Sequence, residues 1–211
     1  MTYKKQVEKL KDECQNLEED RRVLLNLSSA LISFFETSVT PKSKQIAKKN
    51  GCYYFIPSSI LDSIYWLKLV KQHLKKKDIL EPKFLDAGCG IGNIILLANQ
   101  LGFDADGIEI DNRNLRIGKA IASRQNYWSL NGIKITKGNI LTFKHYSKYD
   151  VIYFYCPLSD HVKEVEFENK ITDEIKVGAV IIARLAGYAF HDDKRFLRVK
   201  ENYPIWVKTN G

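Results

Sequence analysis

Residues 84–93 read Phe-Leu-Asp-Ala-Gly-Cys-Gly-Ile-Gly-Asn and run into the apolar segment Ile94-Ile95-Leu96-Leu97-Ala98. An apolar run ending in an acid, three glycines at alternate positions and an apolar helical segment together predict a strand, a tight turn and a helix packed back on the strand. Glycine is the residue that lets backbone turn through positive φ and approach a ligand closely. The spacing excludes two phosphate-binding loops. A dinucleotide turn requires Gly-x-Gly-x-x-Gly, and Asn93 stands where its last glycine would be. A Walker loop requires Gly-Lys-Ser/Thr, and none follows. The turn fits a non-phosphorylated nucleoside. Downstream, Asp106-Gly107-Ile108-Glu109-Ile110-Asp111 ends the next apolar run with Glu109, 21 residues beyond Gly88. A carboxylate at that strand end accepts hydrogen bonds from both hydroxyls of a ribose.

From residue 82 onward, short apolar runs alternate with amphipathic stretches, the pattern of a parallel sheet with helical crossovers. Strands are predicted at 83–87, 105–110, 133–137, 151–155 and 179–185, with 196–200 and 205–208 closing the chain as an antiparallel hairpin around Asn202-Tyr203-Pro204. The expected fold is α/β: a doubly wound, mostly parallel seven-stranded sheet with a C-terminal antiparallel hairpin, preceded by an N-terminal coiled-coil-like helix. That helix is read from Val7, Leu10, Cys14, Leu17, Leu24 and Leu31, with Arg21 and Ser28 at seam positions. Residues 1–36 are accordingly a coiled-coil or docking helix, and 7–35 offer a surface for a homodimer or a partner helix. Residues 37–50, with Pro41 and lysines 42, 44, 48 and 49, read as a solvated linker. Ser58 or Ser59 caps a helix from Ile60 toward Lys77, so 37–80 form a linker plus a segment closing over the site, and 81–211 the ligand-binding domain.

Composition narrows the function classes. With 211 residues, 45% hydrophobic, the chain can bury a sizeable core. It contains no apolar run long enough for a membrane span and no secretory signal pattern, so a cytoplasmic protein without a membrane partner is expected. The four cysteines (Cys14, Cys52, Cys89, Cys156) form no CxxC pair, which argues for reduced thiols and against zinc, and the four histidines show no paired ligand spacing. The net charge of +8 is uneven: residues 1–40 hold six Lys/Arg and seven Asp/Glu, leaving 27 against 18 in the remainder. A basic second segment favours an acidic partner.

The acid at 86 with Gly88, Gly90 and Gly92, followed by Glu109, resembles the first two motifs of the class I, seven-strand, Rossmann-like S-adenosylmethionine-dependent methyltransferases over roughly residues 52–211. The resemblance implies S-adenosylmethionine as cofactor, with the glycine turn under its methionine part and Glu109 on its ribose. Asp86 is implied to meet the cofactor's amino group or to tie down the turn, and Asn139 in Lys137-Gly138-Asn139-Ile140 takes the family's acidic position beside the adenine. The fourth strand ends in Tyr155-Cys156-Pro157-Leu158, where the family places residues facing the methyl acceptor; Tyr155, Cys156 and Pro157 are the expected catalytic lip. This tetrapeptide differs from the Asn/Asp-Pro-Pro-Tyr/Phe of enzymes that methylate base amines. A second resemblance, to the non-SET protein lysine methyltransferases, rests on Tyr53-Tyr54-Phe55-Ile56-Pro57-Ser58-Ser59 and brings Tyr54 and Pro57 to the cofactor and the amine channel.

The function expected from these features is transfer of a methyl group from S-adenosylmethionine to a macromolecular acceptor, a protein lysine amine before others. A nucleic-acid methyltransferase and a catalytically silent scaffold that recruits a partner through its N-terminal helix stand as the alternatives.

Overall fold

The computed structural model describes residues 20–21, 40–56, 58–124 and 134–210. The expected coiled coil therefore lies outside the described residues, except for the helical pair Asp20 and Arg21. Asp20 forms an ion pair of 2.9 Å with Lys68 of the same chain.

Residues 37–50, expected as a linker, instead contain helix α1 (Pro41–Asn50). Thr40 caps it: its Oγ1 accepts from Ser43 N at 3.2 Å, and Ser43 Oγ accepts from Thr40 N at 2.9 Å. Pro41 sits in the first turn, where its missing N–H costs nothing and its fixed φ suits the helix; Gly51, at φ 65°, ends it. The proline taken as a breaker is a starter. Helix α2 (Ile60–Lys75) begins from the Ser59 cap and buries Ile64, Leu67, Val70 and Leu74, which recur at helical spacing.

The remainder is β1 (Lys83–Ala87), α3 (Asn93–Gln100), β2 (Asp104–Glu109), α4 (Asn112–Arg124), β3 (Lys134–Lys137), β4 (Val151–Tyr155), α5 (His161–Glu174), β5 (Val180–Arg184), the short helix α6 (Tyr188–His191), β6 (Phe196–Arg198) and β7 (Ile205–Lys208). The sheet has seven strands in the order β3-β2-β1-β4-β5-β7-β6. All pairings are parallel except those of β7 with β5 and with β6. The expected fold class and terminal hairpin are both present, with β6 ending at Arg198 rather than at residue 200.

Successive strand residues feed opposite faces. Phe84, Tyr153 and Ile182 pack with Leu67, Leu74, Ile95 and Phe103 on one side. Leu85, Ile152 and Ile181 pack with Phe167, Ile171, Phe190 and Trp206 on the other. Helices cover both faces, so β4 and β5 are nearly continuous apolar runs rather than alternating ones. The chain runs outward from β1 to β3 and then returns across the sheet to β4. That reversal opens a crevice beyond the carboxyl ends of β1 and β4, the place where an open sheet of this kind can receive a ligand. No helix among the described residues is long and apolar enough to cross a membrane.

Candidate active site

A cavity of about 490 Å³ occupies this crevice. Its floor follows the strand order. Asn139 comes from the loop after β3, Glu109 from the end of β2, Asp86 and the glycine turn from β1, Tyr155 and Cys156 from β4, and Leu185 from the residue after β5. Neighbouring strands are about 4.8 Å apart, so these groups form a row with polar chemistry at the β3 side and aromatic and apolar chemistry at the β5 side.

The glycines of the turn have concrete neighbours. A Cβ on Gly90, at φ +58°, would come within 2.2 Å of the Phe55 ring, and one on Gly88, at φ +82°, within 2.8 Å of Pro157 Cβ. The turn is thus closed from above by the segment before α2 and from the side by the β4 loop. Gly88 N and Cys89 N both donate to Ile108 O, fixing the turn to β2.

Glu109 is buried, and its oxygens accept from Gly90 N at 2.8 Å and Asp111 N at 2.7 Å. Burial pushes its carboxyl up to about 7, partly opposed by those backbone donors. A carboxylate offers about four lone-pair sites, more than these donors use, so acceptor capacity remains for a ligand diol. Asp86 is buried as well, and its carboxyl is held well above the usual carboxylate range by burial and then by the charge of Glu109. The Asn93 Nδ2 is buried without a partner among the described residues, although Asn93 lines the cavity. Asn139 is exposed at the cavity edge, with its Oδ1 accepting from Leu141 N at 2.9 Å.

At the β4 and β5 side of the cavity, Cys156 and Leu185 are non-glycine residues with φ of 36° and 50°. Such backbone is held by its surroundings, and it recurs at functional loops. The surroundings here come from α5. Glu164 Oε2 accepts from Leu158 N at 3.0 Å; Glu168 accepts from Gly187 N at 2.6 Å and Ala189 N at 2.7 Å. One helix face therefore holds both loops. Tyr155 lies under the Arg184 guanidinium at 4.8 Å, and the same guanidinium lies 5.5 Å from the Trp66 ring. Burial pushes the Cys156 thiol up to about 11, with the acids Glu164 and Glu168 adding to it. It is a thiol at neutral pH, the wrong form for a nucleophile.

Of the residues expected from sequence, Asp86, Gly88, Gly90, Glu109, Asn139, Tyr54, Tyr155, Cys156 and Pro157 line one cavity. Gly92, at φ 86°, is the N-cap of α3 and supports the turn from beneath. Pro57 lies outside the described residues. Sequence reading missed Ser43, Ala47 and Asn50 of α1, which form a cavity wall, because the segment was read as a linker. It also missed Ser58, whose Oγ lies 2.6 Å from the Tyr153 hydroxyl, and the two buried glutamates of α5. The Ser58 pairing spans 95 residues and leaves no local signal. Among the described residues no group of three or more His, Cys, Asp or Glu could hold a metal, and Cys52, Cys89 and Cys156 are free.

The residues fit S-adenosylmethionine. Two buried carboxyls and one unpaired buried amide face a cavity floored by a glycine turn, offering acceptors to a diol and an ammonium and a donor to a carboxylate.

The sequence profile described as "Methyltransferase domain" matches residues 81–201. No curated protein sequence matches the chain. Among solved structures, the sugar N-methyltransferase KedS8 from Streptoalloteichus sp ATCC 53650 is similar at 14% identity over 60% of this chain and 48% of that one, with a TM-score of 0.45. DesVI from Streptomyces venezuelae is similar at 16% identity over 59% and 49%, with a TM-score of 0.44. A protein from Pyrococcus horikoshii OT3 is similar at 18% identity over 55% and 54%, with a TM-score of 0.41. The chain spans about half the length of these structures.

Proposed function

The chain belongs to the class I methyltransferase-domain family, and from that premise we propose that it transfers a methyl group from S-adenosylmethionine to a macromolecular acceptor, a protein lysine amine in the first instance. The observation that carries this reading is the single row of Asn139, Glu109, Asp86, Tyr155 and Cys156 along one cavity, cofactor chemistry at one end and an acceptor lip at the other.

When bound, the cofactor supplies a methyl group already activated on a sulfonium. The protein's own residues hold and exclude. Asn139 would border the adenine, Glu109 would accept the ribose hydroxyls, and the turn from Gly88 to Gly92 would support the amino-acid end. Phe55 on Gly90 and Pro157 on Gly88 exclude water from the turn. Tyr155, fixed by Arg184, and Tyr54 wall the acceptor side. An amine must present a neutral lone pair, and a partly desolvated aromatic channel favours that form. Such a reaction needs positioning more than acid or base groups.

A second acceptor class is favoured by one observation. Helices α1 and α4 both contribute cavity-lining residues, and neither contains an Asp or Glu. Lys42, Lys44, Lys48, Lys49, Arg116 and Lys119 on them are exposed. This same-sign rim suits a phosphate backbone. Labelled methyl transfer into a cell extract, divided between protease and nuclease digestion, decides: protease-sensitive label supports a protein acceptor, and nuclease-sensitive label a nucleic acid. No label in either fraction, with S-adenosylhomocysteine still bound, leaves the silent scaffold. Residues 1–36 are proposed as a docking helix for a partner or a second copy. Deleting them is expected to change the oligomeric state by light scattering while cofactor binding persists.

A further inference from the structure

Helix α1 carries a charge pattern that its own stability does not explain. Lys42, Lys44, Lys48 and Lys49 are all exposed on it, and residues 41–59 contain no Asp or Glu. Lys48 and Lys49, in the last turn, complement the helix dipole. Lys42 and Lys44, in the first turn, oppose it, and Lys44 and Lys48 stand four residues apart, where like charges on a helix repel. None of the four has an ion-pair partner among the described residues. The helix is fixed beside the end of β4: Gly51, its C-cap, accepts from Ser159 N at 3.0 Å, and Cys52 pairs with Leu158. Lys44 lies 5.3 Å from the ring of Tyr54, which lines the cavity. Lys163, exposed in the first turn of α5, lines it too. The exposed acid next to it, Asp160, is occupied as the cap of α5, accepting from Val162 N and Lys163 N.

Charge changes sign between the mouth of the cavity and its interior. Inside, the charged groups are the carboxyls of Asp86, Glu109 and Asp111; at the mouth they are lysines. The lip is apolar, with Tyr54, Leu185 and Tyr188 exposed along it. The ligand complementary to this arrangement is a cation on an apolar stem, surrounded by anions. We propose that α1 and Lys163 form the docking surface for an acidic protein segment, and that the acceptor is a lysine flanked by Asp or Glu. Lysine arrives with both the stem and the charge. Flanking carboxylates meet Lys44, Lys48, Lys49 and Lys163, and the same charges draw the partner in from a distance. A nucleic-acid strand supplies the anions but no cation for the interior. The inference rests on the reading of the acceptor as a protein lysine, and it adds what surrounds that lysine. Selectivity then comes from a helix that precedes the methyltransferase-domain match at residues 81–201.

Three synthetic peptides with a single central lysine, flanked by Glu, by Gln or by Arg, test this with labelled methyl transfer from S-adenosylmethionine. At low salt the Glu-flanked peptide is expected to show a kcat/KM about tenfold above the Gln-flanked one, carried by KM, with the Arg-flanked one below both. The spread should shrink as added salt screens the charges. Lys44→Gln, Lys48→Gln and Lys49→Gln combined are expected to remove most of the advantage of Glu over Gln. The same variant should bind S-adenosylhomocysteine as the wild type does by calorimetry, which shows that it is folded. Equal use of the Glu- and Gln-flanked peptides, or an advantage that survives in the triple variant, overturns the docking surface and leaves the lysine reading standing. A wild-type enzyme that binds S-adenosylhomocysteine but methylates none of the peptides overturns both, and label in a single-stranded oligonucleotide then assigns these lysines to phosphate.

Discussion

Glu109 Oε2 accepts the amide hydrogen of Gly90 at 2.8 Å, so the acid that ends β2 and the turn that follows β1 are one mechanical unit. The carboxylate positions the glycine turn as well as offering lone pairs to a ligand. Replacing it disturbs both. Glu109→Ala is expected to weaken S-adenosylhomocysteine by about 10- to 100-fold, the loss of hydrogen bonds to a charged group, as read by calorimetry. Unchanged affinity would remove Glu109 from the site.

The same residue makes binding depend on pH. Burial raises its carboxyl to about 7, while diol donors favour the charged form. Below that value, binding must first expel a proton. Affinity for 5′-methylthioadenosine, which carries the ribose but no ammonium to meet Asp86, is therefore expected to rise between pH 6 and 8 in the wild type and to be flat in Glu109→Gln. A pH-independent wild-type affinity would show that the carboxylate does not receive the ligand.

Gly90 and Gly178 both have positive φ, but only Gly90 has a neighbour where a Cβ would stand. Gly178→Ala meets nothing within 4 Å and carries backbone strain alone, of order 1 kcal/mol. Gly90→Ala adds the overlap with Phe55, and is expected to cost about 1–3 kcal/mol more in denaturant melts. Phe55→Ala in the Gly90→Ala background should recover the overlap part and leave the strain. Additive losses in that cycle would mean that Phe55 does not rest on the turn.

Glu164 and Glu168 predict opposite responses to amide substitution. Both oxygens of Glu168 accept backbone N–H groups, so a glutamine there sets its NH₂ against a donor. Glu168→Gln is expected to cost about 1–3 kcal/mol and to reduce acceptor methylation through the loop bearing Tyr188. Glu164 uses one oxygen, leaving Oε1 buried without a partner among the described residues, and burial raises its carboxyl to about 7. The folded form thus holds a proton that an unfolded glutamate releases near pH 4.5. Stability falls as pH rises from there to about 7 and is level above. Thermal melts across that window should show a shallower slope in Glu164→Gln, with no large loss at pH 7.

Cys156 lines the cavity as a protonated thiol, so Cys156→Ser is expected to keep methyl transfer within about threefold of wild type. A loss of more than about 100-fold in a variant that still binds S-adenosylhomocysteine would make the thiol chemical rather than structural.

Local pattern carried the sheet, because buried strands and crossover helices write their periodicity directly into the chain. The glycine turn and Glu109 were legible for the same reason, each lying at a strand end that its own residues define. Residues 37–50 were not, since Pro41 and four lysines have the composition of a linker. The Thr40–Ser43 reciprocal cap and the packing of Ser43 and Ala47 against the cavity make Pro41–Asn50 a helix.

By itself, then, the sequence determined the strands, the glycine turn and the acid that ends β2, all of which rest on neighbours a few residues apart. Tertiary structure alone decided that Phe55 closes on Gly90, that Ser58 pairs with Tyr153, that α5 clamps two loops with buried glutamates, and that Asn93 is left facing the cavity unpaired. The first two relations join residues 35 and 95 positions apart. Burial, which turns an ordinary amide or carboxyl into one that must find a partner, exists only once the chain has closed around it.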